Sequence, residues 1–193
     1  MGEVLRSWTM PTNGSHPGSR PSPSAVVVSR YNETVTSVML DGAVGAYLAR
    51  GGSDSELAVL ETPGAYELIS IARAAASSGM YGSVVCLGCV IKGETSHDLH
   101  ISSAVANGLA QITVATGVPV AFGVLTTNTN EQALARAGGD KGNKGAEAMN
   151  AALDAADAVA MLARAKAANT PSVRFTPGLS PNDKLTAYAQ ENK

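Results

Sequence analysis

A histidine that follows a glycine-hinged polar loop, at the mouth of an apolar strand, is the arrangement in this chain best suited to chemistry. The run is Gly88-Cys89-Val90-Ile91-Lys92-Gly93-Glu94-Thr95-Ser96-His97. Backbone N–H groups of a Gly93-Glu94-Thr95 turn that opens a helix can wrap an anion, because the free donors and the helix dipole point the same way. Lys92 adds positive charge there, while Glu94 has to turn its carboxylate away from a bound anion or meet a cation. Imidazoles exchange protons near neutral pH, so His97 beside such a loop suits proton transfer on a phosphorylated small molecule. A plain helix-start histidine bonded to a carbonyl would show the same spacing. His100 lies one turn further on, with Asp98 between, but no third ligand falls at a metal-site spacing, and no metal is expected. His16 sits in a stretch without periodicity and is given no role.

In open parallel sheets, ligands bind beyond the carboxyl ends of the strands. The loops after the other apolar runs therefore belong to the same candidate site: Arg30-Tyr31-Asn32, Thr62-Pro63-Gly64-Ala65-Tyr66-Glu67 and Leu125-Thr126-Thr127-Asn128. Tyr31 could stack on a planar heterocycle or simply cover the sheet edge. Glu67 could serve a ligand or only match a helix dipole. Arg136 and Lys144, on either side of a Gly-rich stretch, could be solvated or reach an anion, and spacing does not decide between these. Cys86 and Cys89 form a C-x-x-C, the pattern of a redox pair. They lie, however, within Val84 to Ile91, which reads as strand, and residues three apart on a strand face opposite sides. Small buried hydrophobes are the better expectation than a disulfide.

The elements that must position these loops repeat along the chain. Ala25 to Ser29 is an apolar run of the kind buried on both faces of a parallel sheet. Asn32 or Thr34 can cap a following helix with Val35, Val38, Met39, Ala46 and Tyr47 on its stripe, stopped by Gly51-Gly52. Leu57 to Leu60 is a second strand, and Pro63-Gly64 opens a helix carrying Leu68, Ile71, Ala72 and Ala75, with Gly79 at its end. The strand Val84 to Ile91 leads into a helix with Ile101, Val105, Leu109 and Ile112, closing at Gly117. Pro119 to Leu125 is the fourth strand, followed by a short helix near Glu131 to Arg136. A glycine-and-lysine linker, Gly138 to Gly145, precedes a long helix with Met149, Leu153, Ala156, Ala160 and Ala163 at helical spacing. Such alternation argues an α/β fold: a three-layer sandwich, flavodoxin-like, with a four-stranded parallel sheet and helices on both faces.

The chain has 193 residues, 45% of them hydrophobic, 16% charged and 4% aromatic, with a net charge of −2. One domain over residues 25–168 is expected, packed on Ala, Val, Leu and Ile. Residues 1–24 are rich in Pro, Ser and Gly and read as a disordered extension, and 169–193 as a tail with a brief helix at 185–190. The weak charge gives no reason to expect nucleic acid or an anionic membrane as partner. No apolar run approaches the ~18 residues of a membrane span. The N-terminal stretch has no secretory h-region, so cytoplasm is the default. Low charge and high alanine content suit a subunit that buries further surface against its own copies, and equally a plain GC-biased composition.

Five segments taken in order, at family-like spacing over residues 25–165, closely resemble the lumazine synthase family of riboflavin biosynthesis. They are Arg30-Tyr31-Asn32, Pro63 to Glu67, Gly88 to His97, Gly117 to Thr127, and Arg136-Ala137-Gly138 with Gly142-Asn143-Lys144-Gly145. The resemblance implies condensation of 5-amino-6-(D-ribitylamino)uracil with 3,4-dihydroxy-2-butanone 4-phosphate, without metal or organic cofactor. It further implies that Tyr31 stacks on the pyrimidine, and that Ala65, Tyr66 and Glu67 with Cys89, Val90 and Ile91 hold the ring and ribityl chain. Glu94 and Thr95 would bind phosphate through backbone N–H groups, helped by Arg136 and Lys144, and His97 would carry the proton. Phe122 and Arg136 would come from a neighbouring subunit. The family assembles as pentamers, some packed into sixty-subunit shells, and riboflavin synthase is the implied partner enzyme. The chain departs from the common family pattern at Tyr31 and Tyr66, at Asp98-Leu99-His100, and at Asp140, where a lysine is frequent. A non-catalytic shell protein or a flavin-binding homologue would keep the fold, but would not need His97, Arg136 and Glu67 together.

Overall fold

The computed structural model describes residues 20–172. Four strands, β1 (Ser24–Ser29), β2 (Leu57–Thr62), β3 (Ser83–Ile91) and β4 (Val120–Thr127), form one parallel sheet in the order β2-β1-β3-β4. The two central strands are buried on both faces, as their unbroken apolar runs require, whereas β2 and β4 are half-exposed sheet edges. Helices α1 (Glu33–Ala49) and α5 (Lys144–Ala167) cover one face. Helices α2 (Leu68–Ser77) and α3 (His97–Thr116) cover the other. Alternate side chains of β1 divide between these layers: Val26 and Val28 pack towards α1 and α5, Ala25 and Val27 towards α2 and α3. The expected three-layer α/β architecture is the one observed. Among the described residues no helix is long and apolar enough to cross a membrane.

Helix ends follow local chemistry. Gly79 and Gly117 take φ of 74° and 72°, the left-handed conformation that lets the chain leave α2 and α3. Helix α2 begins at Leu68 rather than at Pro63-Gly64. The Thr62 hydroxyl donates to the Gly64 carbonyl at 2.9 Å, which holds residues 63–67 in a turn instead of a first helical turn. On α1, Thr36 and Ala43 complete the buried row of Val35, Met39 and Tyr47, while Val38 stays 40% exposed. Met149 and Leu153 of α5 are buried as expected, but Ala160 and Ala163 are exposed, because α1 ends at Ala49 and α5 runs on past it. Arg50 closes the α1–α5 contact, its guanidinium donating to Asp154 at 2.8 Å and Asp157 at 3.2 Å.

The stretch Gly138–Gly145 is no linker. It holds an antiparallel hairpin, β5 (Ala137–Gly139) and β6 (Gly142–Asn143), between α4 (Asn130–Arg136) and α5. Asn143 is its keystone. The side-chain oxygen accepts the N–H groups of Gly145 and Ala146, and the amide donates to the carbonyls of Val38 and Ala137 at 2.8 and 2.9 Å. These bonds, each worth about 1 kcal/mol net, tie α1, the hairpin and α5 together. A side chain at Gly145 would strike the Met39 carbonyl, so only glycine lets the two helices close.

Residues 1–19 and 173–193, with the short helix expected at 185–190, lie outside the described residues. The segment just before β1 is bound to the domain. Pro23 accepts the Gly82 N–H at 2.8 Å, and Arg20 pairs with Glu56 at 3.1 Å.

Candidate active site

Strands β1 and β3 pair only as far as Val28 and Leu87, although β3 continues to Ile91. Beyond that point the chain leaves β3 and stays with β2, where the Arg30 N–H donates to the Thr62 carbonyl at 2.8 Å. The parting opens a cavity of about 320 Å³ above the sheet, at the carboxyl ends of β1, β2 and β3. Tyr31, Ala65, Tyr66, Glu67, Cys89, Val90, Ile91 and His97 all line it, together with Asn32, Gly64 and Ile101. Residues from three of the four candidate loops thus meet in one place, while the Leu125–Asn128 loop supplies none of the lining. Tyr31 is 71% exposed, an aromatic face with little protein over it. Val90 and Ile91, at the end of β3, add apolar surface to the cavity lining.

His97 is the first residue of α3. Its Nδ1 lies 2.7 Å from the Thr95 hydroxyl, and no described residue bonds its Nε2. The ring folds back over Gly93: a Cβ there would stand 3.0 Å from His97 Cε1, so a bare backbone is what lets the imidazole settle. The N–H groups of Glu94 and Thr95 meet no backbone carbonyl among the described residues, and the whole loop is exposed. Free donors at the start of a 20-residue helix are the groups that an anion could take up. The Lys92 N–H anchors the loop's base to the Thr127 carbonyl of β4 at 2.8 Å.

The two cysteines are free and buried, and they sit in opposite layers, Cys86 towards α2 and α3, Cys89 towards α1 and α5. Burial pushes their thiols up to about 12 and about 11 respectively. At neutral pH neither is a thiolate nucleophile. Among the described residues no three of His, Cys, Asp and Glu gather as a metal site would require.

Phe122, Arg136 and Lys144 stand elsewhere. They line a separate, more open cavity of about 450 Å³ along the edge strand β4, with Glu147. Lys144 pairs with Glu147, Nζ to Oε2 at 2.6 Å. Arg136 donates to the Gln132 carbonyl of its own helix at 3.1 Å and meets no carboxylate among the described residues. Within one protomer, then, the phosphate candidates are divided: Glu94 and Thr95 at the first cavity, Arg136 and Lys144 at the second. Asn32 was the residue least evident from spacing, since its partner is a backbone atom far along the chain.

A sequence profile described as 6,7-dimethyl-8-ribityllumazine synthase matches residues 23–160. This chain belongs to that family. A lumazine synthase of Deinococcus deserti is 48% identical over 130 residues, covering 67% of this chain and 83% of the relative. One from Desulfotalea psychrophila is 44% identical over 135 residues, covering 70% and 87%. The lumazine synthase match begins just before β1 and ends within α5, so both cavities lie inside it.

Proposed function

We propose that this chain condenses 5-amino-6-(D-ribitylamino)uracil with 3,4-dihydroxy-2-butanone 4-phosphate to 6,7-dimethyl-8-ribityllumazine, at a site completed between two copies of the protein. One observation carries the shared site. The family's residues divide between a cavity with His97 at the ends of β1–β3 and an open edge with Phe122 and Arg136 along β4. Docking the β4 edge of one protomer against the His97 cavity of the next brings the two sets together. Further support comes from apolar surface that a lone protomer leaves in water: Phe122 is 45% exposed, Val59 on edge strand β2 44%, and Val114 on α3 87%. A ring of five such contacts, in the cytoplasm, is the assembly proposed, and the closed shell and delivery of product to riboflavin synthase extend it.

The residues then take these roles. Tyr31 lies over the pyrimidine, with Val90 and Ile91 beneath. The ribityl hydroxyls meet the Ala65–Glu67 turn and the Glu67 carboxylate. The phosphate sits on the N–H groups of Glu94 and Thr95, with the neighbour's Arg136 pairing two of its oxygens in the fork geometry guanidinium favours. The ring amine and the ketone form an imine with loss of water. His97 removes and returns protons as phosphate departs and the second amine closes the ring, releasing another water. Holding two reactive molecules face to face supplies much of the acceleration.

Mixing purified protein with both substrates should give lumazine fluorescence, and an assembled protein that yields none would overturn the reaction. For the shared site, His97→Ala and Arg136→Ala proteins, each weak alone, are dissociated, mixed and reassembled. Random mixing in a cyclic ring leaves roughly a quarter of the sites with both wild-type groups, so activity should rise well above either parent. No rise would place both residues in one protomer.

A further inference from the structure

Asn32 stands where the two central strands separate. It is one of two non-glycine residues with a left-handed backbone among those described, at φ 61° and ψ 46°. Its carbonyl accepts the N–H groups of Val35 and Thr36 and so begins α1, but its side chain takes no part in capping that helix. The amide instead donates to the Cys89 carbonyl at 2.9 Å, 57 positions along the chain. The Cys89 carbonyl lies beyond the last β1–β3 pair, Val28 with Leu87. The Asn32 amide therefore supplies the bond that β1 gives up when it turns away to make the cavity. Tyr31, the preceding residue, has no hydrogen bond of its own among the described residues, so the backbone at Asn32 decides where its ring stands.

We propose that Asn32 is a positioning residue of the pyrimidine site, bracing the turn that carries Tyr31 against the end of β3 and so setting the slot between the aromatic face and Val90–Ile91. This rests on the functional reading above and names what tunes it. Asn32 acts through Tyr31, and its loss should weaken the pyrimidine without touching the phosphorylated ketone.

A double-mutant cycle on equilibrium binding tests this, with the ribitylaminouracil as probe and wild type, Asn32→Gly, Tyr31→Ala and the double variant as proteins. Glycine keeps the left-handed backbone and removes only the amide. Asn32→Gly should bind about 3- to 10-fold more weakly, the worth of one hydrogen bond. Tyr31→Ala should lose roughly 5- to 100-fold, the worth of a stacked base. The double variant should match Tyr31→Ala within about twofold, because the brace has nothing left to position. The KM for the phosphorylated ketone should stay put in Asn32→Gly. Additive losses, or an Asn32→Gly protein that binds as wild type, would overturn the proposal. If the glycine variant does not assemble, Asn32→Asp runs the same cycle, since it tolerates the left-handed backbone and sets a carboxylate oxygen against the Cys89 carbonyl. A wild-type protein that binds no ribitylated pyrimidine sinks the functional reading itself. One that binds, with additive losses, sinks only the role of Asn32.

Discussion

At the ends of β1 and β3 the Asn32 amide ties two parts of the fold together, whereas beside β4 the cations Arg136 and Lys144 are tied only to their own helices. Asn32 reaches from the first loop to the Cys89 carbonyl on β3, and Thr95 meets His97. Along β4, Arg136 bonds a carbonyl of its own turn and Lys144 pairs with Glu147 three residues on. One region is braced before a ligand arrives. The other holds its cations in bonds that are easily exchanged, since a pair between exposed side chains is worth only ~0–1 kcal/mol. Under the proposed reaction this division has a use: the flat ring needs a slot of fixed width, while the phosphate enters, loses its carbon bond and must leave.

Replacing His97, the proposed proton carrier, is the harshest way to break the comparison. His97→Ala should slow turnover by roughly 10- to 1000-fold while the pyrimidine still binds, because stacking and the braced slot remain. Steady-state rates beside equilibrium binding check it, and full activity would remove His97 from the mechanism. Arg136→Ala comes next. Losing a charge-assisted pair should raise the KM for the phosphorylated ketone about 10- to 100-fold and leave the pyrimidine's KM alone. Equal changes in both constants would show that the β4 edge is not a separate phosphate grip.

How far these regions could be read beforehand differs for physical reasons. Ala25–Ser29 and Val84–Ile91 were evident as strands because central parallel strands are apolar on both faces. The place of His97 at a helix start is legible because strand, glycine loop and helix lie together in the chain. The start of α2 is not legible locally, since Pro63-Gly64 looks like a helix opening while the deciding contact is the Thr62 hydroxyl donating to the Gly64 carbonyl. The hairpin within Gly138–Gly145 escaped notice because five or so glycine-rich residues carry no alternation. Asn143 reaches a carbonyl 105 positions away, and local patterns do not register that distance. Helical spacing in α5 shows that Ala160 and Ala163 are on a helix, not that α1 ends before it can cover them. The resemblance already assigns Phe122 and Arg136 to a neighbouring subunit, and the fold sets both beside β4, in a cavity other than that of His97.

The smallest expected effect sharpens the comparison most, because it tests whether bracing extends to the proton carrier. The Thr95 hydroxyl is 2.7 Å from His97 Nδ1. If that hydroxyl donates, neutral His97 carries its proton on Nε2, the nitrogen that no described residue bonds. Thr95→Val keeps the shape and removes the hydroxyl, so the ring would sample both tautomers and lose its fixed orientation. Its backbone N–H, the group proposed for phosphate, survives the change. We therefore expect kcat to fall about 3- to 10-fold with both KM values nearly constant, and Thr95→Ser to recover most of the loss. A raised ketone KM in Thr95→Val, with kcat unchanged, would instead assign the hydroxyl to the phosphate and leave His97 oriented by Gly93 and the helix start alone.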